Sequence, residues 1–185
     1  MTLAVGHREG DIVIVDAIRE RRPPFSPDDV VDEFSALLKG YGITKVSGDR
    51  YAGEWPRERF RDRGIGYEPA ERPKSDLYRD LLPLVSARRI ELLDEPKLAA
   101  QLCGLERRTT RAGRDSIDHA PNGHDDVCNA VAGCASLLAA ESHYWRDNMA
   151  WVGASEVLPA ERLLDPRRSI WGHPALGGVA PWLSR

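Results

Sequence analysis

Residues 2–18, TLAVGHREGDIVIVDAI, place two β-rich runs, 2–7 and 11–18, on either side of Arg8-Glu9-Gly10. Apolar and β-branched runs flanking a short break that contains glycine predict an antiparallel β-hairpin, so the chain opens on a sheet. Pro23-Pro24 ends this pattern, and Ser26-Pro27-Asp28-Asp29 then supplies an N-cap, a first-position proline and acidic first-turn residues for a helix. Its apolar positions Val30, Phe34, Leu37, Leu38 and Tyr41 recur at helical spacing, and Gly40 or Gly42 can stop it.

Beyond this helix, residues 44–47 (TKVS) form a short strand ending at Gly48-Asp49, and a polar helix runs from Trp55-Pro56 to Arg63. Residues 65–68 (IGYE) give another short strand, 75–84 a helix, 89–93 (RIELL) a strand and 96–103 a further helix. Weak strand signals follow at 105–110 and 114–117, with Ala112-Gly113 as the turn between them. Pro121-Asn122-Gly123 then breaks the chain before a helix from His124 to about Ala140. Alternation of strand and helix predicts an α/β fold with crossover connections. The 44–47 strand is expected beside the first strand, in a sheet covered by the 27–40 and 124–140 helices. Residues 1–140 are read as one domain. Residues 141–185, where tryptophans 145, 151, 171 and 182 sit among proline and glycine without a period, are read as an irregular tail.

Twenty-six basic against 29 acidic residues leave a formal charge of −3, so any nucleic-acid surface has to be local. Arginines cluster at 19, 21 and 22, at 57, 59, 61 and 63, and at 107, 108, 111 and 114. Such clusters serve either as solvated faces or as phosphate contacts. Three cysteines without CxxC spacing argue for a reducing, cytoplasmic setting. No apolar run is long enough for a membrane span, and no glycine-rich phosphate loop with a lysine marks an ATPase.

The chemistry-bearing pattern is Asp49 at a strand end, followed about 75 residues later by His124-Asp125-Asp126 at a helix start. Mg²⁺ and Mn²⁺ take oxygen ligands, and a two-ion site needs a carboxylate between the ions. On a helical wheel extended through 125 and 126, Asp126 flanks the stripe Val127, Ala130, Val131, Cys134 and Leu138, while Asp125 points nearly opposite. Asp126 is therefore the preferred ligand, with Asp125 an outer ligand or a favourable acid at the helix start. Asp49 and Asp126 are expected within roughly 8 Å of each other. His124 is a candidate proton carrier. Its spacing to Cys128, with His119 upstream, also raises a zinc site, but four well-spaced ligands are lacking. Lys74, ahead of Ser75-Asp76, is a candidate phosphate contact, with surface charge as the alternative.

Three stretches, VSGDRYAGEWPRERF (46–60), ERPKSDLYRDLLPL (71–84) and LCGLERRTTRAGRDSIDHAPNGHDDVCNAVAG (102–133), together resemble the C-terminal nuclease domain of large terminase subunits from tailed phages and prophages. The resemblance implies a ribonuclease H-like fold, with a mixed central sheet opened by a β-hairpin and helices on both faces. It also implies a metal-dependent endonuclease that cuts concatemeric double-stranded DNA in the bacterial host cell, with Mg²⁺ or Mn²⁺ as cofactor and portal protein and small terminase subunit as partners. By position, Asp49 resembles the second acidic ligand, and Asp126 with Asp125 the third. Arg50, Lys74, Arg107 and Arg108 are candidate DNA contacts read from the residues themselves. The family's first acidic ligand, on a strand ahead of 2–7, has no counterpart, and neither has its ATPase domain. Met1 is accordingly read as an internal methionine or the start of a shortened fragment, and cleavage is expected to be weak or absent. The alternatives are a non-catalytic DNA-binding or motor-docking module, and another ribonuclease H-like nuclease such as a resolvase.

Overall fold

The structure, a computed structural model, describes residues 1–49, 54–109, 115–121, 123–140 and 148–153. The predicted hairpin is present as β1 (Thr2–Glu9) and β2 (Ile12–Glu20), paired antiparallel around Gly10, whose φ of 58° suits a tight turn. Helix α1 (Pro27–Gly40) starts where the sequence predicts, with the Ser26 side chain accepting from the Asp29 N–H. β3 (Lys45–Gly48), α2 (Glu54–Asp62), β4 (Gly66–Pro69), α3 (Lys74–Ser86), β5 (Ile90–Glu91) and α4 (Pro96–Cys103) follow. The chain continues through a ribbon of β6 (Leu105–Thr109) and β7 (Asp115–His119) to α5 (Asp126–Ala139) and β8 (Asn148–Gly153).

The main sheet has the order β4-β3-β8-β1-β2-β5 and is mixed. β8 runs antiparallel to β1 and parallel to β3. Two expectations are corrected here. Residues 148–153, read from sequence as part of an irregular tail, form a central strand, and the 44–47 strand pairs with β8 and not with the first strand. The physical reason is that Asn148–Gly153 is too short to declare a period; only its two neighbours make it a strand. The other tail residues, 141–147 and 154–185, lie outside the described residues.

Helices cover both faces, as predicted. Val13, Val15 and Trp151 pack under α3, α4 and α5. Leu3, Val5, Ala17, Ala150 and Val152 pack on the other side against α1 and Phe60 of α2. A bulge in β2 sets this division. Val5 pairs with Ala17 and Gly6 with Val15, so Asp16 is an extra residue, and the inward alternation switches faces between Val15 and Ala17. A Cβ on Gly6 would meet the Ile14 carbonyl at 2.5 Å, so glycine permits the close backbone approach at this point. Among the described residues no helix is long and apolar enough to cross a membrane.

Candidate functional site

β3, β4 and β8 are parallel to one another, so their carboxyl ends lie at the same sheet edge, the edge where open α/β sheets place ligands. A groove of about 520 Å³ opens there, lined by Asp49, Glu71, Arg72, Lys74, Asn129 and Trp151 among others. Two polar atoms of its wall, Asn129 Oδ1 and Trp151 Nε1, are buried without a hydrogen-bond partner among the described residues.

Lys74 links the groove to a second group of side chains. As the first residue of α3, it sends Nζ to Asp118 Oδ1 at 2.6 Å and to Asp125 Oδ2 at 2.9 Å. Ser75 beside it clasps β7: its hydroxyl donates to the Ile117 carbonyl and accepts from the Ile117 N–H, both at 3.1 Å. Burial works against the Lys74 ammonium, but the two carboxylates outweigh it and hold its pKa above the ordinary lysine value. Burial would likewise raise Asp118; Lys74 and the His119 N–H prevail and lower it.

Asp118, His119 and Asp125 each bring one ligand atom to within 4.8 Å of the others. His119 Nδ1 lies 2.8 Å from the Ala120 carbonyl. A carbonyl can only accept, so that nitrogen carries the proton and a neutral ring leaves a lone pair on Nε2, the arrangement usual for metal-binding histidines.

Asp125 is buried and Asp126 half-buried, which reverses the order inferred from the helical wheel. Asp125 precedes the helix, with φ −135° and ψ 18°, and a wheel does not extend to a non-helical residue. It accepts from the Tyr78 hydroxyl at 2.8 Å, in addition to Lys74. Though it stands at the N-cap position, its side chain makes no capping hydrogen bond. Gln101 of α4 does that work, its Oε1 accepting from the Val127 and Cys128 N–H groups at 2.9 and 3.0 Å. Gln101→Ala is expected to strand both donors at a cost of about 1–2 kcal/mol, seen as a fall in Tm of roughly 5 °C. Gln101→Glu, which keeps the acceptor, should recover most of it; an alanine variant as stable as the wild type would refute the capping role.

The zinc alternative does not assemble. His124 is exposed, whereas the buried Cys128 donates its Sγ–H to Tyr78, and burial pushes its thiol up to about 12. Arg107 and Arg108 lie on exposed β6, where Arg108 pairs with Glu106. Arg50 lies outside the described residues. Of the other arginines, Arg21, Arg57, Arg59 and Arg63 pair with Glu33, Glu54, Asp28 and Asp32, a solvated face with its charges matched. Sequence reading did not single out Asp118 or Gln101 and took His119 only as a zinc candidate. For Asp118 and His119 the available signal was a DxxDH-like acid-histidine pair at the end of a weak strand; for Gln101 there was none.

No protein-family model matches the sequence, and no curated protein matches it. Solved structures do match by fold. The large terminase nuclease of thermophilic phage G20c superposes with a TM-score of 0.59 at 21% identity, covering 72% of this chain and 81% of that one. The same nuclease with bound magnesium gives 0.58 at 22% identity, covering 72% and 80%. The large terminase nuclease domain of Thermus phage P74-26 gives 0.58 at 20% identity, covering 77% and 83%. The mixed six-stranded sheet opened by a hairpin and covered on both faces is therefore ribonuclease H-like, and it is the fold of phage large terminase nuclease domains.

Proposed function

We propose that this chain is a metal-dependent DNA endonuclease module of a phage or prophage packaging terminase. The observation that carries the reading is the groove at the strand ends, which presents Asp49 and borders a pair of carboxylates that already hold a cation, the Lys74 ammonium. The donor set fits Mg²⁺ or Mn²⁺: carboxylate oxygens with one imidazole nitrogen, beside an orphaned buried oxygen on Asn129. Asp49 and Asp125 would be the ligands, with Asp118, His119 and Asp126 as further ones.

Divalent ions held by these residues would activate a water and offset the negative charge of the phosphate. The protein's own groups do the rest. Tyr78 and Gln101 keep Asp125 facing the cluster, the first by a hydrogen bond and the second by taking over the helix cap. Arg72 and Lys74, each ion-paired with carboxylates, are the basic side chains of the groove wall that could turn to a phosphodiester backbone. His124, exposed just ahead of α5, is the proposed proton carrier. Double-stranded DNA is the proposed substrate; portal protein and the small terminase subunit are the proposed partners.

The test is plasmid cleavage with Mn²⁺ or Mg²⁺, with and without chelator. Slow, chelator-sensitive nicking and linearisation are expected. DNA retained without any cutting would instead identify a binding or docking module.

A further inference from the structure

The Lys74 ammonium bridges two carboxylates that a divalent ion would also use. It sits at hydrogen-bonding distance from one oxygen of Asp118 and one of Asp125, and those residues, with His119, are the ones whose ligand atoms converge. We infer that Lys74 is a resident counter-cation that competes with the divalent metal for Asp118 and Asp125, and so sets how much metal the site takes up. This rests on the proposed metal-dependent reading of the same site.

The physical argument is one of charge and of place. Two partly buried carboxylates this close repel each other unless a cation lies between them. Lys74 meets that need without metal, and Ser75 anchors it by pinning the start of α3 to β7. An ion entering between the same two carboxylates meets the like charge of the ammonium at close range, which opposes its binding unless the lysine side chain moves away. The displaced side chain has somewhere to go, because Lys74 also lines the groove.

A competing role and a purely structural role predict opposite signs. If Lys74 only holds the carboxylates in shape, removing it loosens them and weakens metal binding. If it competes, removing it strengthens metal binding.

The experiment is titration of the full chain with Mn²⁺ alone, followed by calorimetry or by electron paramagnetic resonance of the unbound ion, with no DNA present. Lys74→Met, which keeps the stem and loses the charge, is expected to bind Mn²⁺ about tenfold more tightly than the wild type. Lys74→Arg, which keeps the charge, should stay near the wild type. A cooperative melt of each variant establishes that it is folded, and Lys74→Gln serves in place of the methionine variant if that one is not. Unchanged or weaker affinity in the charge-free variants overturns the inference while leaving the metal site intact, provided that Asp125→Asn still lowers affinity. No Mn²⁺ binding by the wild type or by either charge-free variant overturns both.

Discussion

A chain ended after Ala140 is expected to lose its cooperative fold. Without β8, the sheet falls into β4-β3 and β1-β2-β5, each with an unpaired edge where a central strand had been. Ala150, Trp151 and Val152 are all buried, and the Trp151 ring lies against Gly133 so closely that a Cβ there would overlap it. Trp151→Ala alone should cost about 3–5 kcal/mol, a large part of the roughly 5–15 kcal/mol that holds a typical domain together. In circular dichroism melts, the point variant should lower Tm by about 10 °C, and the shortened chain should show no sigmoidal transition. A shortened chain that melts cooperatively within a few degrees of the full one would show that β8 is dispensable.

The second large effect concerns the choice between neighbouring acids. Asp125→Asn keeps an acceptor for Tyr78 but removes the charge, and it is expected to lower Mn²⁺ affinity on the order of 10–100-fold and to take metal-dependent cleavage below detection. Asp49→Asn should abolish cleavage as well, since Asp49 lines the groove at the end of β3. Asp126→Asn should do less, because the converging ligand atoms belong to Asp118, His119 and Asp125. Equal losses from Asp125→Asn and Asp126→Asn would mean that both bind metal; a loss from Asp126→Asn alone would restore the helical-wheel assignment.

Much of the frame was legible from residues alone. The hairpin, the Ser26-capped helix, the strand ending at Gly48 and the ribbon before α5 all follow from local signals that the tertiary structure agrees with. The misses share a cause. The bulge at Asp16, the strand at 148–153 and the capping of α5 by Gln101 each depend on a partner distant in sequence, and periodicity carries no information about such partners. Asp125's burial was hidden for a related reason: its partners, Lys74 and Tyr78, are distant in sequence, and it precedes the helix to which the wheel applies.

The position of β8 also governs when the protein can fold during synthesis. The strand that joins the two parts of the sheet leaves the ribosome after every other described element, and its partners in β1 are nearly 150 residues behind it. Such long-range closure is slow, because the entropy of bringing the ends together is lost before the contacts form. A nascent chain that has released α5 but not yet β8 therefore carries two open strand edges, the kind of intermediate that chaperones recognise and that aggregates at high expression.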